Sequence, residues 1–241
     1  MKLIWGLRSL IFIVLQMLSV IVVSIVGFLF WFTPNSFKYA YLNIWVKFVM
    51  FLLRIICGVK YEVYGKENLD LTQTGLILAR HESAWETFSF QVIFPRLAFV
   101  LKKELLMIPF FGWGLRMMSP IAIDRGAGRK AMKQVLDEGT DRLSKDSWVV
   151  IFPEGTRMPV SKLGKINSGG SLLAKKSEAK TYLVAHNAGN CWAAKSWIIK
   201  PGKVDVFISE PLDVATLSTS DINQLTEEFF KKHLSSKEDC I

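Results

Sequence analysis

Residues 10–32 run for 23 positions without a charged side chain. About 20 such residues in helical form cross the hydrocarbon of a bilayer, so the run expects a lipid environment for this end of the chain. A cleaved signal segment would be followed by a small-x-small site. None follows, and Thr33-Pro34-Asn35 breaks the run. Trp5 and Trp31 bracket it at the positions interfacial anchors take.

A second apolar stretch, 39–57, is interrupted by Lys47 and Arg54. These two lie seven residues apart and so share a helix face, with Ile44, Trp45, Phe48, Phe51, Leu52 and Ile55 elsewhere. That pattern expects a helix lying in the membrane interface, with cations reaching headgroups; a core helix of the folded domain is the competing reading. Cations occur on both sides of the first run, so charge alone leaves open whether it spans or dips. Residues 1–59 are therefore expected to be membrane-anchoring helices.

The bulk chemistry agrees. The 241-residue chain is 51% hydrophobic, with a mean hydropathy of +0.29 and a formal net charge of +9. A basic, greasy protein suits an anionic bilayer surface. Nucleic acid is not expected as a partner, since no basic stretch is interleaved with aromatics as in a binding module. The three cysteines, Cys57, Cys191 and Cys240, form neither a metal spacing nor a disulfide framework, which fits a reducing compartment.

From residue 60 to 241 apolar runs alternate with helical patterns. Strands are expected at 61–64, 76–79, 98–101, 121–123, 148–152, 182–185 and 204–208. Helices are expected at 84–93, 111–117, 128–143, 170–176 and 220–233, with a frayed tail after 235. The alternation predicts an α/β domain: a mixed, largely parallel sheet flanked by helices.

Chemistry-bearing residues fall at the ends of these strands. His81 follows the run Leu76–Ala79 and precedes a helix that contains Glu86. Five residues apart on one helix they would not meet, but across a strand-to-helix turn they can. A histidine held by a carboxylate is a general base. Ser83-Ala-Trp-Glu86 equally fits a capping box, in which Glu86 only bonds the helix start. Phe152-Pro-Glu-Gly-Thr-Arg157 follows another strand, and its glycine turn and arginine suit a phosphate or carboxylate. Lys102-Lys103 adjoin a very apolar loop running to Trp113, a mixture fit for a charged headgroup beside an alkyl chain, though taken alone the stretch reads better as a solvated lysine pair followed by a core segment. His186, ending a strand at 182–185, reads as a cleft-lining or structural histidine. His233 reads as a surface residue near a helix C-terminus. Zinc-protease, Gly-x-Ser-x-Gly and phosphate-loop spacings are missing, and Gly126-x-Gly128 lacks its third glycine at Ala131. No metal is expected.

In this order the four stretches resemble the motifs of the 1-acyl-sn-glycerol-3-phosphate acyltransferase family, bacterial glycerolipid acyltransferases with a His-x4-Asp motif. They are His81–Glu86, Lys103–Trp113, Phe152–Arg157 and Leu183–Asn187, and the resemblance covers roughly residues 60–210. It implies transfer of a fatty acyl group from acyl-CoA or acyl-carrier protein to the sn-2 hydroxyl of lysophosphatidic acid, without an acyl-enzyme. His81 would be the base and Glu86 its orienting partner. Arg157, with Gly155 and Thr156, would grip the acceptor phosphate; Glu154 would lie at the acceptor site; Lys102 and Lys103 would touch phosphate or donor. No cofactor is implied beyond the donor substrate. The resemblance places the protein at the bacterial inner (cytoplasmic) membrane, catalytic domain toward the cytoplasm. Four departures stand out: Glu86 for Asp, Glu82 as a second carboxylate near His81, Asn167 for a basic residue before the Gly-Gly pair (with Lys165 as a substitute), and Leu183 for proline.

Overall fold

A computed structural model describes residues 1–145 and 147–234. The first helix, α1 (Lys2–Phe28), is about 40 Å long at 1.5 Å per residue. It lies lengthwise against the protein. Gly6 sits under the Trp197 ring, Ser9 Oγ accepts from Ile199 N at 2.8 Å, and Arg8 donates to the Ile56 carbonyl. Phe12 is fully buried, edge-on to Trp192, and at the far end Ser24 Oγ donates to Phe110 O at 2.8 Å. The inward stripe, 6-9-12 and 24-27, is small and polar apart from Phe12. The outward face carries Leu3, Leu7, Leu10, Val14, Leu18, Val22 and Ile25, all exposed. This is the reverse of a water-soluble helix and the arrangement expected of one whose outer face meets lipid.

Helix α2 (Asn35–Leu52) continues as a wide π turn, Leu53–Cys57, and ends at Gly58, whose φ of 73° is the left-handed cap that favours glycine. One face of this stretch is buried in the core, as the core-helix reading has it, and the other is apolar, cationic and exposed. Leu42, Val46, Val49, Leu53 and Cys57 point inward and are buried; Ile44, Phe48, Phe51 and Ile55 point outward beside exposed Lys47 and Arg54.

The chain then builds β1 (Val59–Tyr64), β2 (Gly75–Ala79), α3 (Trp85–Ile93), β3 (Leu97–Lys102), α4 (Phe111–Met117), β4 (Ile121–Ile123), α5 (Arg129–Ser144), β5 (Trp148–Ile151), α6 (Gly169–Ser177), β6 (Lys180–His186), a single-turn α7 (Ala188–Cys191), β7 (Gly202–Ile208) and α8 (Thr219–Lys232). The seven strands form one sheet in the order β1-β7-β6-β2-β5-β3-β4. Every ladder is parallel except β6 with β7. The sheet is thus mixed and largely parallel, as the alternation of elements requires, and from residue 60 onward every expected strand and helix is present within two residues of its expected ends. Only α7 was not foreseen. The expected frayed tail lies outside the described residues.

Strand β2 shows why the sheet is covered on both faces. Ile77 and Ala79 join one core cluster with Val46, Trp85 and Phe90, while Leu76 and Leu78 join another with Val135, Leu173 and Ile222. Phe12 and Val46 belong to the first of these clusters. Residues 1–59 are therefore part of the same packed body as the sheet, although the sequence changes character at 60.

Candidate active site

Strands β5, β2 and β6 are parallel neighbours, with Leu78 opposite both Ile151 and Leu183. Their C-terminal ends therefore deliver the His81 turn, the Phe152–Arg157 turn and His186 to one place. Such a convergence outside the carboxyl ends of strands is where open α/β sheets bind ligands.

His81 is held from four sides. Its N–H donates to Glu154 Oε2 at 2.9 Å, and its carbonyl accepts from Met158 N at 2.7 Å. Its ring stacks on Phe152 with centroids 4.1 Å apart. Its Nδ1 donates to Glu86 Oε1 at 2.5 Å. Glu86, in the first turn of α3 and fully buried, also accepts from the N–H groups of Glu82 and Ser83 at 3.0 Å. The orienting and capping readings of Glu86 are both realised, by the same carboxylate. Complete burial pushes its pKa up, but the bond from His81, the nearby imidazoles and the backbone N–H groups outweigh that and hold it below the ordinary carboxylate value. In the neutral ring, donation from Nδ1 leaves the lone pair on Nε2.

Glu82 turns away. It pairs with buried Arg80 at 3.0 Å and accepts from Gly189 N at 3.2 Å. Burial pushes its carboxyl up to about 8, with Arg80 pulling the other way. The question of which acid orients the imidazole is therefore answered by geometry in favour of Glu86. His186 is fully buried; its Nδ1 accepts from Ala188 N at 3.3 Å, so Nε2 carries the proton toward Arg80 O at 3.1 Å. Burial holds its pKa down, and it is a structural histidine.

The His81 ring is 13% exposed and lines a cavity of about 190 Å3 together with Thr87, Gln91, Lys102, Phe152 and Arg157. The base and two of the expected cations thus share one chamber. The remaining expected residues are distributed differently. Lys103 is drawn to Asp124 at 2.6 Å and does not line the cavity. Glu154, expected to contact the acceptor, is 6% exposed, with one oxygen on His81 N and the other accepting from Gly164 N at 3.2 Å. Its place is behind the histidine. Gly155 has a φ of 70° and closes the turn by donating from its N–H to Phe152 O at 2.9 Å; it lines a second cavity, of about 310 Å3, behind Phe152. Thr156 is exposed beside it. Asn167 clamps the same turn, its Nδ2 donating to Pro153 O at 2.8 Å. Lys165 faces a surface groove against α8 and not the His81 cavity. Sequence reasoning missed Thr87 and Gln91, which are ordinary helix residues until α3 is placed.

Comparison with known proteins follows the same lines. The acyltransferase family model matches residues 60–187, more than half of the chain. The chain belongs to the acyltransferase family. A 1-acyl-sn-glycerol-3-phosphate acyltransferase of Pseudomonas aeruginosa is 39% identical over 194 residues, covering 79% of this chain and 75% of that protein. A yeast (Saccharomyces cerevisiae) protein of the same description is 26% identical over 73% of this chain and 59% of its own length. The fold is shared with the solved 1-acyl-sn-glycerophosphate (LPA) acyltransferase PlsC of Thermotoga maritima, with a TM-score of 0.81, 21% identity, and coverage of 97% of this chain and 96% of that one. The acyltransferase match begins at residue 60, where the sheet begins, so the two N-terminal helices lie outside it.

Proposed function

We propose that this acyltransferase moves a fatty acyl group from acyl-CoA or acyl-carrier protein to the sn-2 hydroxyl of 1-acylglycerol 3-phosphate, giving phosphatidic acid. The observation that carries the reading is the 2.5 Å contact of His81 Nδ1 with a buried, ionised Glu86, in a ring that lines the same cavity as Arg157.

The acceptor's phosphate lies on Arg157 and Lys102, which brings its hydroxyl to His81 Nε2. His81 takes the proton as the oxygen attacks the thioester carbonyl, and Glu86 stabilises the imidazolium that forms. The tetrahedral intermediate collapses with loss of the thiolate, which recovers the proton from His81. Atoms balance without a covalent enzyme intermediate, and the base ends as it began. The relatives' descriptions support this acceptor. The outward apolar faces of α1 and α2, with Lys47 and Arg54 among them, support a membrane surface as the working site. We place it at the bacterial inner membrane, with the sheet domain on the cytoplasmic side where both thioester donors are made.

Purified protein in detergent, offered acyl-CoA and a panel of lysolipids, tests the reading by thiol release. Phosphomonoester acceptors should be strongly preferred. Equal rates with lysophosphatidylcholine, or no thiol release with any acceptor, would sink it.

A further inference from the structure

A groove of about 490 Å3 lies between the C-terminal half of α1 and α4, walled by Ile25, Phe28, Leu29, Trp31, Trp113 and Arg116. It opens on the lipid-facing side, since Ile25 and Phe28 belong to the exposed face of α1 and Leu29, just past its end, is exposed with them. Both tryptophans are half-exposed on its rim. Two cations stand with them. Lys38 Nζ donates to Trp31 O at 3.3 Å and lies 5.6 Å from that ring. Arg116 is exposed, and among the described residues it has no acidic partner. A narrower cavity of about 50 Å3, bounded by Ser24, Gly114, Leu115 and Met118, separates the groove from the chamber of His81.

We propose that this groove holds one diacyl phospholipid with an anionic headgroup, taken from the bilayer and distinct from either substrate. A trough on a lipid-facing surface fills with acyl chain. A guanidinium beside it, without a carboxylate partner among the described residues, is free to take an anion, and its fork matches a phosphate. Tryptophans fix the depth at headgroup level. Lys38 supplies the second positive charge, so a net-anionic lipid binds better than one whose own ammonium repels these cations. The bound lipid braces α4 against α1, and α4 carries Phe111 and Leu115 of the His81 cavity.

The inference rests on the reading of these outer faces as membrane-facing. Full-length protein in neutral detergent is examined by native mass spectrometry with dioleoyl phosphatidylglycerol or dioleoyl phosphatidylcholine, alongside flotation with vesicles of each. Wild-type protein should retain phosphatidylglycerol over phosphatidylcholine by about tenfold, the scale of one charge-assisted contact. Arg116→Gln should remove that preference while detergent-solubilised acylation stays near wild type. Ile25→Trp, which fills the trough and keeps the charges, should reduce retention of both lipids. Lys47→Gln, a charge removed from the outer face of α2, should leave the preference intact. Equal retention by the wild type, a preference surviving in Arg116→Gln, or an equal loss in Lys47→Gln overturns the site. Failure of the wild type to float with any vesicle overturns the membrane reading itself.

Discussion

At the scale of single residues, the site separates groups that line the cavity beside His81 from groups that hold His81 in place. Glu86→Gln keeps the size of the side chain and removes the charge that faces the imidazolium. It should cost about a hundredfold or more in kcat, with near-normal turnover showing that capping alone is its role. Glu154→Ala should lower kcat and leave the acceptor KM nearly unchanged, because its oxygens bond His81 N and Gly164 N. A large rise in acceptor KM would show instead that it contacts the acceptor. Arg157→Ala should do the reverse, raising acceptor KM far more than donor KM. The lowered pKa of Glu86 also fixes a direction with pH. A carboxylate depressed in the folded state contributes stability that is present above its ordinary value of 4.5 and lost as pH falls below it. Thermal unfolding in detergent should therefore steepen in its pH dependence below that point for wild type, and less so for Glu86→Gln. His81 and Glu86 were legible in the sequence, because their interval and the flanking apolar runs are local facts. The inward turn of Glu154 was not, since it depends on a loop from a different strand arriving behind His81.

At the scale of elements, period did most of the work. Strands such as β2 and β5 are short uninterrupted apolar runs because both faces are covered, and α5 and α8 show helical spacing that survives without tertiary information. What the pattern could not give was the depth at which elements meet. Gly112, at the start of α4, is an example: a Cβ there would collide with the backbone carbonyl of Leu106, which cannot swing aside as a side-chain tip can. Gly112→Ala should destabilise the protein by about 1–3 kcal/mol, the usual scale of overpacking. It should also disturb the segment between Lys102 and Phe111, which walls the His81 cavity. An unchanged melting temperature would show that the loop yields freely. The second apolar stretch illustrates the same limit. Lys47 and Arg54 mark the exposed face, while the burial of Val46 and Val49 on the opposite side is a matter of what the sheet presents to them.

At the scale of the whole molecule, the N-terminal helices are both surface and core. A chain beginning at residue 60 would lose Phe12, Val46, Val49 and Leu53 from the cluster that backs β2 and α3. Removing residues 1–59 should accordingly yield a protein that unfolds at lower temperature and loses activity even in detergent, and not a soluble, active sheet domain. Circular dichroism melting of the truncated chain checks this; a full-activity fragment would show that anchor and catalyst are separable. The fold class was readable because alternation of strand and helix is periodic along the chain. The course of α1 along the protein was not, because 23 uncharged residues look alike whatever they pack against, and only the contacts at both of its ends show that it lies on the domain.

The loop after β5 brackets the histidine's two peptide groups, through Glu154 on one side and Met158 on the other, and carries Arg157 between them. That interval therefore behaves as a gauge block. One residue more or fewer between 154 and 158 would slide one clamp past its mate and swing the guanidinium out of line in the same stroke. Length here is held as tightly as the side chains of Glu154 and Arg157, because one clamp, the guanidinium and the other clamp share a single short interval.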